Sequence, residues 1–286
     1  MRFTALAALL ALSYAASPAS ARTWQQEWTV GAHPNVHVDT NDARIFIHSG
    51  TPGHVSASVD YTVTVWGFHT AVHEPLVTLT RDGDAITVSA RSHANIAVFG
   101  GVIERFHIDL TLPPNCDVVA RGADGSIESE PVSGTIDLET GDGHITAHGL
   151  HGDVRVWTGD GGIDVDGVDG ALVAHTGDGH LHASGRFDAL DARSGDGRME
   201  VSVARGSSVT RPWSLTTGDG GITLRIPRNL SALLDASAED GELHLELPIT
   251  LDGKLSHHEL RGELNGGTTP LRVKSGDGSI TLALSE

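Results

Sequence analysis

Asp-Gly pairs recur at Asp124, Asp142, Asp160, Asp178 and Asp196, a spacing of 18 residues held four times in succession. A fixed short period of this kind marks a repeat architecture, in which each copy is one small unit that buries its apolar face only against its neighbours. The pair returns at Asp219, Asp240 and Asp277, with spacings of 23, 21 and 37. A full copy reads small-Gly-Asp-Gly-x-apolar, as in Thr140-Gly141-Asp142-Gly143-His144-Ile145.

Alignment at the 18-residue period produces apolar columns. One holds Ile127, Ile145, Ile163, Leu181 and Met199, and two residues on come Ser129, Ala147, Val165, Ala183 and Val201. Half a period away lie Ile136, Val154, Leu172 and Leu190, followed at two residues by Leu138, Val156, Ala174 and Ala192. Each period therefore contains two short strands with apolar residues at every second position. The residues between them face solvent: Asp137, Arg155 and Asp191 on one strand, Glu128, Thr146, Asp164, His182 and Glu200 on the other. The expected fold is all-β, a single-stranded β-helix or β-solenoid with coils of about 18 residues in its central part. A narrow core of this shape takes small and branched side chains, in keeping with 5% aromatic residues.

The Gly-Asp-Gly bend is expected to be turn chemistry, because Gly tolerates positive φ and Asp bonds its own turn backbone. Stacked turns would also set carboxylates one strand spacing apart, about 4.8 Å, and attract cations. Against a specific calcium site, Asp lies three residues before the apolar position, whereas the nine-residue calcium-binding β-roll has it two before.

Outside the regular part, strands are expected at Val36–Val38, Arg44–His48, His54–Val65, Leu76–Thr80, Ala85–Ala90 and Phe106–Leu112, with the first coils starting near residue 35. Residues 1–21 carry Arg2, an apolar run and Ala19-Ser20-Ala21, the pattern of a signal peptide cleaved before Arg22; an N-terminal membrane helix is the competing reading, but the run is short for a span. The remainder, 22–286, is expected to be one elongated domain: irregular N-terminal coils at 22–115, regular repeats at 116–247, and a C-terminal coil or cap at 248–286.

Asp and Glu number 37 against 19 Lys and Arg, for a net charge of −18, a field that repels phosphate polymers and excludes a nucleic-acid partner. A single Cys, Cys116, rules out an intrachain disulfide and is expected to be buried and inert. No Gly-x-Ser-x-Gly elbow, His-Glu-x-x-His helix, phosphate loop or dinucleotide loop occurs. No catalytic, cofactor-binding or metal-binding residue is assigned, and no cofactor is expected.

Histidine is unusually frequent, at 17. His180 and His182 share one strand face. His144 lies two coils from His180, about 10 Å at ordinary strand spacing, too far for the two to share a metal without other ligands. A pair between Asp164 and His182, one coil apart, is conceivable; solvated surface histidine is the plainer expectation.

The run Asp109-Leu110-Thr111-Leu112-Pro113 before Asp117-Val118-Val119, the repeated Gly-Asp-Gly turns, the interleaved Ser133-Gly134-Thr135-Ile136 and His151-Gly152-Asp153-Val154, and the ending Leu271–Leu284 together resemble the bacterial "putative adhesin" family of exported or envelope proteins, catalogued as a domain of unknown function. The resemblance covers roughly residues 35–284 and implies a single-stranded β-helix without established catalytic residues. The expected function is an exported, non-enzymatic cell-envelope or adhesin-like binding or structural module, periplasmic or extracellular. Its expected partner is an envelope or extracellular ligand, a glycan among the candidates, with no nucleic acid and no stable membrane insertion. The alternative is a carbohydrate-active β-helix enzyme, a polysaccharide lyase or hydrolase.

Overall fold

The period-2 alternation in the sequence becomes strands whose alternate residues meet in one core. The computed structural model describes residues 20–69, 74–92, 97–246 and 252–285; the signal-peptide reading falls mostly on residues 1–19, outside them. The described residues are all-β, with 23 strands joined in one sheet and no helix.

The apolar columns stack in register. Ile145 pairs with Ile127 on one side and Ile163 on the other, Ile163 pairs with Leu181, and Leu181 with Met199, all in parallel ladders. The second set runs Val118, Ile136, Val154, Leu172, Leu190. Both sets empty their side chains into the same core, where Ile163, Val156 and Ala174 have no exposed surface. Strands buried in this way gain about 1.5–3 kcal/mol per large apolar side chain. Ile163→Ala is therefore expected to cost about 2–5 kcal/mol, whereas exposed Asp160 at the bend should cost under about 1 kcal/mol as Asn, which keeps turn capacity. Urea denaturation of both variants checks this, and equal losses would mean that the bend carboxylate does more than turn the chain.

The bends themselves correct one expectation. None of Gly141, Gly143, Gly159, Gly161, Gly177 and Gly179 is among the glycines of positive φ. Left-handed glycines sit at the other end of each layer instead, Gly152 at φ 113° for example. The Gly-Asp-Gly glycines are there because layers touch: a Cβ on Gly161 would lie 1.9 Å from the carbonyl oxygen of Gly143 in the preceding layer. The small residue before the motif has its own task. The buried Thr158 hydroxyl donates to the carbonyls of Gly143 (2.9 Å) and Gly141 (3.2 Å), and Thr140, Thr176 and Ser194 repeat the contact one layer apart. The first glycine of each motif donates its N–H to the residue above it, as Gly159 does to the Gly141 carbonyl.

Layer order departs from chain order at both ends. Asn35–Thr40 lies between Ala85–Arg91 and Asp117–Arg121, and Arg44–Ser49 between Ala97–Leu112 and Ile127–Ser129. Likewise Pro270–Ser275 lies between Trp213–Thr217 and Ala232–Ala238, and Ile280–Leu284 between Ile222–Ile226 and Leu243–Glu246. Antiparallel strands then cover the outermost layers. His54–His69 pairs with Ala97–Leu112 and Ser20–Thr29 with His54–His69 at one end; Glu259–Leu264 pairs with Ala232–Ala238 at the other. The antiparallel strands shield edges that would otherwise template pairing with another chain. Cleavage before Arg22 would leave Arg22–Thr29 of the first strand in place. The 23-residue step from Asp196 to Asp219 is filled by a loop beside which Phe187 and Trp213 are fully buried, their rings edge to face at 6.3 Å.

Candidate functional site

Two outward faces flank the core. On and just before the strands Ile145–His148, Ile163–Thr176 and Leu181–Ser194, the positions of three successive layers that alternate with the core residues read His144-Thr146-His148, Gly162-Asp164-Asp166 and His180-His182-Ser184. Asp164 stands opposite Thr146 on one side and His182 on the other. Its carboxylate is nevertheless taken by the diagonal neighbours: His144 Nε2 lies 2.8 Å and His180 Nε2 3.3 Å from the same oxygen, Oδ2. His182 turns to Asp166 (3.3 Å), which also accepts the Ser184 hydroxyl at 2.8 Å and has His148 at 3.8 Å. The conceivable Asp164–His182 pair is thus replaced by these contacts.

Backbone spacing keeps layers of the sheet about 4.8 Å apart, yet the His144 and His180 rings, two layers apart, have centroids separated by only 5.4 Å. The expected separation of about 10 Å overlooked the residue between them. Gly162 has no side chain, and a Cβ placed there would fall 2.3 Å from His180 Cε1 and 2.8 Å from His144 Cε1. The two imidazoles lean into that gap and meet over Asp164. One ligand atom from each of His144, Asp164 and His180 lies within 4.8 Å of the others. Burial pushes the Asp164 carboxyl upward, but the hydrogen bonds and charge from His180 and His144 outweigh it and hold the group below the ordinary carboxylate range. These three residues could hold a metal; sequence reasoning had each of them in hand but not their convergence.

Other histidines follow the same habit. His33 lies 3.1 Å from Asp117, and His48 lies 3.4 Å from Glu130 and 3.6 Å from Asp109. The Thr135 backbone N–H, at 2.7 Å, is the main cause that lowers Asp117. The Ser49 N–H does the same for Glu130. Cys116 is buried, and desolvation, reinforced by Asp117, pushes its thiol up to about 12, which leaves it inert as a nucleophile.

The other face carries the rows from Thr135, Asp137 and Glu139 onward. Thr135, Asp137, Asp153, Arg155, Asp191 and Arg211 line an open groove of about 580 Å³. Beside it Trp157 is 42% exposed, and Arg121, Glu139, Arg155 and His175 surround it. Nε2 of His175 is buried with no hydrogen-bond partner and lies 3.8 Å from Asp191. Burial pushes this imidazole downward against the pull of Asp191, with Arg193 and Arg155 adding to the depression. A histidine held neutral in this way contributes stability that is complete above its unfolded value of about 6.5 and is lost as pH falls through the folded one. His175→Gln should therefore lose less thermal stability than the parent chain as pH falls below about 6.5, read as Tm against pH for both. Parallel curves would remove His175 from the acid response.

The family described as Toastrack DUF4097 matches residues 34–283. No curated protein matches the chain. Among solved structures, it is similar to a "putative adhesin" from Bacteroides fragilis at 12% identity and a TM-score of 0.41, covering 92% of this chain and 97% of that one. A "putative adhesin" from Parabacteroides merdae gives 11% identity and 0.42, covering 91% and 96%. A "putative lipid binding protein" from Parabacteroides distasonis gives 12% and 0.40, again covering 91% and 96%. Among the described residues no helix is long and apolar enough to cross a membrane.

Proposed function

The chain belongs to the Toastrack DUF4097 family, and from that footing we propose that residues 22–286 act as one exported, non-enzymatic binding module of the cell envelope, wound as a single-stranded β-helix. The 18-residue parallel register of the central layers supports the winding. The ligand is an extended polar chain, a glycan being the best fit, and it lies along the groove beside Trp157. The observation that carries this reading is the exposed indole itself. In a chain that is 5% aromatic, a large apolar ring stands in solvent among Arg121, Asp137, Glu139 and Arg155, and an amphipathic ring beside charged groups is the composition of a recognition surface.

Binding is favoured over catalysis by what the acids beside Trp157 already touch. Asp137 and Glu139 lie 3.8 and 3.1 Å from Arg121, and Asp191 lies 3.0 Å from Arg193, whereas glycoside hydrolysis needs a carboxyl kept as a proton donor near neutral pH. The test is a panel of envelope polysaccharides presented to the tag-free chain, with affinity and product release measured together. Expected are retention without product, and at least a tenfold loss of affinity in Trp157→Ala, about 1.4 kcal/mol, at unchanged Tm. Release of reducing ends or unsaturated sugars would make the protein a carbohydrate-active enzyme. Binding indifferent to Trp157 would move the ligand off this groove.

A further inference from the structure

We propose that His144, Asp164 and His180 bind one divalent transition-metal cation, of which zinc is the test ion. This stands apart from the groove, which lies on the other strand set, so either reading can fail alone. Three observations carry it. The donor atoms already converge, with both imidazole Nε2 atoms within 3.3 Å of one carboxylate oxygen and all three donors within 4.8 Å. Gly162 is buried between the two histidine layers and supplies the space in which the rings meet. All three side chains are mounted on or directly beside parallel strands, and sites built on regular elements hold their geometry better than sites on loops.

The donor set selects the class of ion. Two imidazoles and one carboxylate suit zinc and its first-row neighbours, which take three protein ligands and leave a further position for water or an incoming ligand. Calcium wants six to eight oxygens, and Asp164 with Thr146 beside it cannot supply them.

Binding is an exchange of proton for metal. Asp164, being ionised, only accepts hydrogen bonds, so in the metal-free protein each ring presents Nε2–H to it. The ion replaces those protons; a neutral ring moves its hydrogen to Nδ1, and a protonated ring releases one to solvent. The charged surroundings are mixed. Asp166 follows on the same strand and is engaged by His148, His182 and Ser184. Arg198 follows His180 in its row but is exposed, where solvent and salt screen it. Glu200, two layers on in the Asp164 row beyond His182, is paired with Arg225.

The experiment uses the full tag-free chain after chelator dialysis, titrated with zinc sulfate by calorimetry and followed by Tm, with cobalt(II) absorption as a geometric readout. Expected are one ion per chain, a micromolar or tighter Kd, a rise in Tm, and an intense visible cobalt spectrum. Asp164→Asn and the double variant His144→Ala/His180→Ala should each weaken zinc binding at least tenfold while keeping the metal-free fold, checked by circular dichroism. Asp166→Asn should leave affinity within about threefold, since its carboxylate is engaged elsewhere, and calcium or magnesium should act no differently from added salt. Zinc binding unaltered by the Asp164 and histidine variants, more sensitive to Asp166 than to Asp164, or matched by calcium would overturn the site and leave only surface charge.

Discussion

Gly161→Ala is expected to be among the most destabilising single substitutions in the chain, costing about 3 kcal/mol or more, although it adds one methyl group. The new Cβ would stand 1.9 Å from the Gly143 carbonyl oxygen and 2.8 Å from Thr158 Oγ1. Neither can retreat easily. The Gly143 carbonyl already accepts the Thr158 hydroxyl, and both belong to a backbone clamped between layers. Relief requires the layers to part, which stretches the ladder bonds on either side. Gly122→Ala is the matched control. Its Cβ would find nothing nearer than 3.6 Å, and its φ is ordinary, so the change should fall within about 1 kcal/mol of neutral. Chemical denaturation of the pair separates the two roles a glycine can have. If Gly161→Ala proved as mild as Gly122→Ala, the layers would be softer than their contacts imply.

That contrast shows what was legible in the sequence and what was not. The period and the alternation fix the apolar columns, because burial in a strand depends only on position parity and on what lies one period away; Ile145, Ile163, Leu181 and Val154, Leu172, Leu190 are buried as read. The reason for Gly-Asp-Gly was misread, since a bend suggests φ, whereas the constraint comes from a carbonyl one period earlier that only the stacked structure reveals. The same blindness hid the candidate metal site. Counting layers places His144 and His180 two spacings apart, and only the missing side chain at Gly162 lets them meet. A signal was present: the His-Gly-His column with Asp two residues after its Gly could have been read along the period as the other columns were. The order of the outer layers had no local signature, because Pro270–Leu284 carries the same pattern as any inner copy.

That hidden order has a large consequence. Deleting residues 270–286 is expected to abolish the cooperative fold, although in a stack built in chain order the same cut would only peel away the last copy. Leu271, Val273, Ile280 and Leu282 are all buried, at about 1.5–3 kcal/mol each, which together rivals the 5–15 kcal/mol by which a domain is stable at all. The layer 232–246 would lose its parallel partner as well, since it pairs with 270–284 and not with 213–226. The reciprocal cut is longer yet should be milder. Replacing residues 227–269 by a short Gly/Ser linker joins Ile226 to Pro270, the step that the regular layers make in two residues between His148 and His151, and leaves every layer from 85–112 to 270–284 stacked. A single cooperative thermal transition at lowered Tm is expected for that excision, and none for the deletion. If the short deletion melted cooperatively and the long excision did not, the layer order drawn from the strand pairing would be wrong.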